Sequence, residues 1–144
     1  NGEEKNMMKR HLIISAVVLL IILIIEGGWL LMKSNRTDMS TINNGRVRFE
    51  YGDENILTDL SEEDLNIIKE IFDDKKLYKD NPSCGFSESI AVLFNDDSQI
   101  FCIARDTCPI IYNKNKGLYF KISDKENTLL RNLLKKYGFY FPCL

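Results

Sequence analysis

An apolar run near the N-terminus constrains this chain more than any other feature. Residues 12–32 read LIISAVVLLIILIIEGGWLLM, and Glu26 is the one ionisable side chain among these 21 residues. As an α-helix the run would extend roughly 30 Å, which matches the hydrocarbon thickness of a bilayer. Backbone polar groups are not hydrated there, so a single span has to be helical. The run therefore predicts a transmembrane helix and a lipid bilayer as partner.

Basic residues set the predicted orientation of this helix. Lys9 and Arg10 precede the run directly, as in the n-region of a secretory signal. Lys and Arg are enriched on the cytoplasmic side of membrane spans. No small-residue cleavage site follows the run. We therefore predict an uncleaved signal-anchor in a single-pass protein of the cell membrane, with a cytoplasmic N-terminus.

The predicted membrane helix divides the chain into four segments. They are a cytoplasmic N-terminus (1–11), the signal-anchor (12–32), a flexible linker (33–45) and an extracytoplasmic domain (46–144). The linker prediction rests on a polar sequence rich in Ser, Thr and Asn, without periodicity. A natural start lies at Met7, so residues 1–6 are interpreted as upstream untranslated or vector-derived sequence.

Composition narrows the class of partner. Residues 33–144 contain 16 Lys or Arg and 18 Asp or Glu, which is too balanced for a nucleic-acid-binding face. The Asn-, Lys- and Ile-rich usage is typical of AT-rich bacterial coding. We therefore expect an unknown envelope protein or a cell-wall component as partner, and no nucleic acid.

Periodicity and capping signals outline a small α+β domain. Arg46–Tyr51 alternates apolar and polar residues, as a half-buried strand does. Ser61–Lys76 and a segment that starts at Ser123 begin with capping residues and place apolar residues on one face. Two strands flank a hairpin turn at Asn95–Ser98, and Leu118–Ile122 forms another strand. The predicted order, β-α-β-β-β-α, indicates a two-layer domain with an antiparallel sheet.

The cysteine count predicts covalent cross-links. The four cysteines are Cys84, Cys102, Cys108 and Cys143. An even number of cysteines outside the cytoplasm is typical of disulfides. Structural zinc sites usually contain close C-x₂₋₄-C pairs, and this sequence has none. We therefore predict two disulfides and no metal.

The register of the predicted hairpin favours one disulfide pairing. A turn centred between residues 96 and 97 places Ala91 opposite Cys102 and brings Cys84 close to Cys108. Cβ atoms at neighbouring strand ends are near enough for a disulfide. The predicted pairs are Cys84–Cys108 and Cys102–Cys143. The alternative is Cys84–Cys143 with Cys102–Cys108.

The sequence has little of the chemistry that enzymes use. His11 is the only histidine and lies in the predicted cytoplasmic segment, so catalytic and metal-binding histidines are not expected in the domain. It has no C-x-x-C motif and no Gly-rich phosphate loop. We expect no catalysis and no cofactor. The alternative is a small envelope enzyme with carboxylate and lysine chemistry, using Lys79, Glu88, Arg105 or Asp106.

A binding function is predicted for the two loops that flank the central hairpin. Loops held by a rigid scaffold are favoured sites of recognition. The candidate binding residues are Lys79, Asp80, Asn81, Glu88, Arg105, Asp106, Ile110, Ile111 and Tyr112. Ile110–Tyr112 can equally be a strand edge or core filler. Within the binding class, an immunity- or inhibitor-type role against a secreted partner is a further alternative.

Overall fold

The computed structural model describes residues 13–27 and 35–141 of the chain. The chain divides into two units, with the boundary between Asn35 and Arg36. In the first unit, residues 13–27 form helix α1. Its large apolar side chains are exposed, from 47% at Ile22 to 65% at Ile25.

The predicted transmembrane anchor is wrong. Within the described residues, no helix combines the length and the apolar character needed to cross a membrane. The same finding overturns the signal-anchor, the single-pass localisation in the cell membrane and the extracytoplasmic placement of the domain. Residue 12 and residues 28–32 of the predicted span lie outside the described residues.

The second unit contains one six-stranded antiparallel sheet and two helices. The strands are β1 (Gly45–Tyr51), β2 (Glu54–Asp59), β3 (Ile90–Phe94), β4 (Gln99–Ile103), β5 (Ile110–Asn113) and β6 (Leu118–Lys121). Helix α2 (Glu62–Phe72) lies between β2 and β3, and α3 (Asp124–Lys136) follows β6. The strand order in the sheet is β2-β1-β3-β4-β5-β6. The predicted α+β class and antiparallel sheet are confirmed, whereas the predicted element order is wrong because it omits β2 and β5.

Both helices cover the same face of the sheet. Alternate strand residues such as Val92 and Phe101 share one buried cluster with Phe72 of α2 and Leu134 of α3. Phe72 is fully buried, and its ring lies 5.3 to 6.4 Å from three phenylalanine rings of the sheet. The core therefore lies between the sheet and the two helices.

The hairpin β3–β4 has the register expected from the sequence. Ala91 lies opposite Cys102 across the turn. Asn95, Asp96 and Asp97 in the turn all have positive φ, between 48° and 67°. Asn and Asp adopt this left-handed conformation more readily than most other residues. The local sequence was therefore sufficient to centre this turn.

Two strands, β2 and β5, were not predicted from the alternation of apolar and polar residues. β2 has the sequence ENILTD, and all of its residues except Ile56 are exposed, so it shows no alternation of apolar and polar residues. It forms because Gly52, with a φ of 60°, turns the chain back to pair with β1. β5 contains the apolar triplet Ile110–Tyr112, of which only Ile111 is fully buried in the core.

Residues 36–44, assigned to the linker by the sequence, pack in the second unit. Met39 and Ile42 are 3% and 1% exposed and belong to the core. Thr37 is also buried, and its Oγ1 donates to the carbonyl of Phe72 at 2.5 Å and accepts from the amide of Lys75 at 2.7 Å. These isolated contacts leave no periodic signal. Residues 33 and 34 of the predicted linker lie outside the described residues.

A buried carboxylate joins the start of α2 to the end of α3. The Asp64 amide donates to Ser61 Oγ at 3.1 Å, which caps α2. The Asp64 carboxylate accepts from Tyr137 Oη at 2.8 Å and from Lys136 Nζ at 3.0 Å instead of reaching back to Ser61. Burial alone would raise the pKa of Asp64, but the hydrogen bonds from Tyr137, Lys136 and Ser61 hold it below its usual value. Asp64 therefore links the two helices.

The start of α3 follows a local sequence signal, whereas the end of α2 does not. Helix α3 has the predicted capping box, in which Ser123 Oγ accepts from the Glu126 amide and Glu126 Oε2 accepts from the Ser123 amide. Helix α2 ends at Phe72, before the predicted end at Lys76. The C-cap Asp73 has an extended backbone, with a ψ of 149°, and Asp74 follows with a φ of 53°, so the chain leaves the helical conformation there.

Candidate functional site

The two predicted binding loops meet on the face of the sheet opposite the helices. Tyr112 of β5 and Tyr119 of β6 lie on that face, because their neighbours in the strands point into the core. Residues 78–89, here called the strap, cross it. The Phe86 ring of the strap lies 6.1 Å from the ring of Tyr112 and 5.5 Å from that of Tyr119.

Backbone hydrogen bonds fasten the strap at both ends. Tyr78 and Tyr119 exchange two amide-to-carbonyl hydrogen bonds of 2.9 Å each. The Arg105 amide donates to the carbonyl of Gly85 at 3.1 Å. The strap therefore pairs with the outer edge of β6 at one point and contacts the loop that follows β4.

One disulfide completes this attachment. Cys84 in the strap is bonded to Cys108, with a Cα–Cα distance of 6.4 Å. This is one of the two predicted pairs. The prediction of two disulfides is wrong, because Cys102 is a free thiol, and Cys143 lies outside the described residues. The alternative pairing is also wrong, since Cys108 is bonded to Cys84.

Cys102 is enclosed rather than reactive. It lies in the middle of β4, opposite Ala91 and Tyr112, and is 2% exposed. Burial raises the pKa of the Cys102 thiol to about 11. The thiolate is the nucleophilic form of cysteine, so this thiol is inert near neutral pH.

The structure distributes the candidate binding residues over several places. Lys79, Asp80 and Asn81 are exposed in the strap, Arg105 and Asp106 are half-buried after β4, and Ile110, Ile111 and Tyr112 belong to β5. Glu88 forms an ion pair with Lys114. Of the candidates, Glu88 and Tyr112 line a common cavity of about 280 Å³, together with Phe86, Ser87, Cys102 and Lys114.

Asp106 has a structural environment that the sequence did not indicate. Its Oδ1 accepts from the amide of Cys108 at 3.0 Å, and its carbonyl accepts from Arg131 Nη2. Arg131 is 8% exposed, and its Nε donates to Asn127 Oδ1 at 3.0 Å. The guanidinium also lies 4.2 Å from the centre of the Phe141 ring. Arg131 therefore connects α3 to the loop that holds the disulfide.

We expect Arg131→Met to lower the free energy of unfolding by about 2 kcal/mol, because hydrogen bonds from a charged donor contribute about 1.5–3 kcal/mol. Methionine keeps an apolar stem, and it also removes the buried Nη1, which has no partner among the described residues. Urea denaturation measures the change. Asn132→Ala, on the exposed side of the same helix, is the control and should stay within about 0.5 kcal/mol. Equal stability of the two variants would contradict the assigned role.

The disulfide also prevents metal binding at a group of three potential ligand atoms. Cys84, Cys108 and Asp106 place three potential ligand atoms within 4.8 Å of one another. The two sulfurs are bonded to each other and present no thiolate, which is the form that binds metals. In residues 13–27 and 35–141 no other such group occurs.

A second cavity lies away from the predicted loops. It has a volume of about 690 Å³ and lies among residues 42–46, the end of β2, helix α2 and Asp96. Gly45 allows the close packing beside it, because a Cβ there would lie 2.9 Å from Leu65 Cδ1 and 3.1 Å from Leu60 Cδ1. We call this cavity the acidic groove, because Asp59, Glu62 and Asp96 line it.

Both cationic side chains that line the groove are engaged with protein acceptors. Arg46 Nε and Nη2 donate to the two carboxylate oxygens of Asp97 at 2.7 and 2.6 Å. The hydrogen bond from Arg46 holds the pKa of Asp97 below its usual value, and the same bond raises the pKa of Arg46. Lys69 Nζ donates to the carbonyl of Ile42 at 2.7 Å.

The carboxylates of the groove are not engaged in this way. Asp59, Glu62 and Asp96 line it, and their side chains form no hydrogen bond or ion pair with the residues that the structure describes. Comparisons of the chain with known protein families, curated proteins and solved structures found no match. Function therefore has to be inferred from the chain's own geometry.

The sequence contains a signal for this groove that its analysis missed. From Phe49 to Ile68 the chain has no Lys or Arg, and its acidic residues are Glu50, Asp53, Glu54, Asp59, Glu62, Glu63 and Asp64. Acidic residues in a first helical turn stabilise the helix through its dipole, which explains Glu62 to Asp64 in isolation. Of the remaining acidic residues, Asp59 lies next to that turn at the end of β2, whereas Glu50, Asp53 and Glu54 lie at the other end of the hairpin β1–β2.

Proposed function

We propose that residues 36–141 form a binding module without catalytic function, and that a cationic ligand binds in the acidic groove. One observation supports the ligand class: Lys69 and Arg46 of the groove are hydrogen-bonded, whereas Asp59, Glu62 and Asp96 form no hydrogen bond or ion pair with the described residues, although Asp59 and Asp96 interact electrostatically with Arg46. Charge-assisted hydrogen bonds from an ammonium or guanidinium group to a carboxylate are about twice as strong as neutral ones.

The size and lining of the groove favour a polar ligand. Its volume of about 690 Å³ lies within the range of roughly 300–1,000 Å³ that is usual for ligand pockets. Asn43, Asn44 and Asn66 contribute amide groups to the lining, and it contains no aromatic residue. A Lys or Arg side chain with its neighbouring backbone suits this lining better than an apolar molecule. The protein partner expected from the sequence stays a prediction, and we propose in addition that the part of it that binds the groove is positively charged.

The arrangement of the candidate catalytic groups supports binding over the enzyme alternative. Of Lys79, Glu88, Arg105 and Asp106, Glu88 lines the cavity of about 280 Å³ and the other three do not, and Glu88 is ion-paired with Lys114. General acid–base catalysis requires such groups within hydrogen-bond reach of one substrate. A set of residues distributed over the strap and the next loop does not meet that requirement.

Hexalysine is a suitable probe for the proposed function. We expect isothermal titration calorimetry at low salt to detect binding of hexalysine and none of hexaglutamate. Binding should weaken with added salt, since about 0.1 M salt screens exposed charges beyond roughly 10 Å. The double variant Asp59→Asn, Glu62→Gln should bind hexalysine about tenfold more weakly, because each exposed ion pair contributes up to about 1 kcal/mol.

The control is a double variant with the same change in net charge. Glu70→Gln with Asp124→Asn removes two exposed carboxylates that do not line the groove. It should bind hexalysine as the wild type does. Equal weakening in both double variants would mean that net charge alone attracts the peptide, and the groove would be excluded as the site.

A further inference from the structure

The two edges of the sheet differ in their protection. The order of strands leaves β2 and β6 at the edges. Tyr78 of the strap pairs with Tyr119 and so covers part of the β6 edge. β2 pairs with β1 on one side and has no partner on the other side among the described residues. A free strand edge is a template for pairing with another chain.

The alternation of backbone hydrogen bonds along β1 shows which residues of β2 direct their backbone groups to this free edge. Leu60 N donates to the carbonyl of Gly45 at 2.9 Å, and Glu50 N donates to the carbonyl of Ser89 at 2.7 Å. The odd-numbered residues of β1 therefore bond to β2, and the even-numbered residues bond towards β3. In β2, the backbone groups of Asn55, Leu57 and Asp59 consequently point to the free edge.

The charge around β2 selects the occupant of that edge. Asp53 and Glu54 lie at one end of the strand, Asp59 and Glu62 lie at the other, and no Lys or Arg occurs between Phe49 and Ile68. Two copies of this edge would place like charges together, which opposes pairing of the chain with itself. A basic segment would meet opposite charge at both ends of the strand, while Arg46 and Arg48 of β1 lie across from Asp59 and Leu57.

We propose that β2 accepts, by strand addition, an extended segment of a partner protein that carries Lys or Arg residues. Asp59 belongs both to the free edge and to the acidic groove, so a side chain of the added strand can enter the groove. This inference rests on the proposed function and adds the mode of recognition. Main-chain hydrogen bonds provide affinity in strand addition, and side-chain pockets provide specificity.

Amide hydrogen exchange of the full chain tests the geometry directly. The probe is an octapeptide that alternates Lys and Thr. Without peptide, the amides of Asn55, Leu57 and Asp59 should exchange fast and those of Ile56 and Thr58 slowly. With saturating peptide, we expect at least tenfold slower exchange at the first three positions, and little change at the other two. Unchanged exchange at Asn55, Leu57 and Asp59 in the bound state would overturn strand addition.

A proline variant separates this inference from the proposed function. Leu57→Pro removes an amide that points to the free edge, a position where edge strands tolerate proline. It should weaken octapeptide binding at least tenfold, whereas the control Leu57→Thr keeps the amide and should change the affinity less than twofold. If Leu57→Pro binds normally and Asp59→Asn, Glu62→Gln binds weakly, the groove stands and strand addition is refuted. If hexalysine binds the wild type and the octapeptide does not, strand addition is refuted and the groove stands; if neither binds, both proposals fail.

Discussion

Replacing Phe72 with alanine is expected to lower the free energy of unfolding by about 4 kcal/mol, which is typical of a fully buried phenylalanine. The Phe72 ring lies 5.3 Å from that of Phe120, 5.5 Å from that of Phe101 and 6.4 Å from that of Phe94. It is fully buried, so truncation leaves a cavity between α2 and three strands of the sheet. Loss of this one side chain removes contacts on both layers of the domain.

Urea denaturation followed by circular dichroism measures this effect. A domain of this size is stable by about 5–15 kcal/mol in total, so the alanine variant should still fold at low temperature. Phe72→Leu retains most of the volume and should cost about 1 kcal/mol. Leu129→Ala is the control, because Leu129 is 48% exposed on α3. A loss below about 2 kcal/mol for Phe72→Ala would show that the core does not depend on this ring.

Removal of the disulfide, by Cys84→Ser with Cys108→Ser, is expected to cost about 3 kcal/mol. The bond closes a loop with a sequence separation of 24 residues, and the chain-entropy model assigns roughly 3 kcal/mol to loops of this length. The variant also loses the covalent link that holds the strap near Arg105. We therefore expect faster amide exchange and easier proteolysis within residues 79–88, while the core strands stay protected.

A reducing agent provides the matched control for this second prediction. The wild type treated with a phosphine reductant should shift to the urea midpoint of the double serine variant. The variant itself should not respond, because its remaining described cysteine, Cys102, is a free thiol. A wild-type midpoint that is insensitive to the reductant would contradict a stabilising role for the Cys84–Cys108 bond.

Local signals in the sequence were sufficient wherever the structure depends on neighbouring residues. The caps at Ser61 and Ser123 depend on side chains reaching amides three residues away. Gly138 follows α3 with a φ of 86°, a conformation that glycine adopts at little cost. The turn of the β3–β4 hairpin, with Asn and Asp at positive φ, set the register that places Ala91 opposite Cys102.

The tertiary structure decided every feature that depends on residues far apart in the chain. β2 has no strand pattern of its own and exists through its pairing with β1. Arg131 is a polar helix residue by sequence, and its burial depends on the loop at residues 104–106 and on Phe141. Met39 lies in a polar segment, and its burial depends on the end of α2.

The apolar run and the acidic groove both show the difference between what the sequence determines and what the tertiary structure decides. Residues 12–32 predict a membrane span by composition, but among the residues that the structure describes no helix is long and apolar enough to cross a membrane. The sequence by itself determined that the chain from Phe49 to Ile68 is acidic. The sheet decided that Asp59, Glu62 and Asp96 meet at one groove, because residues distant in sequence share a surface only after strands pair and a helix packs across them.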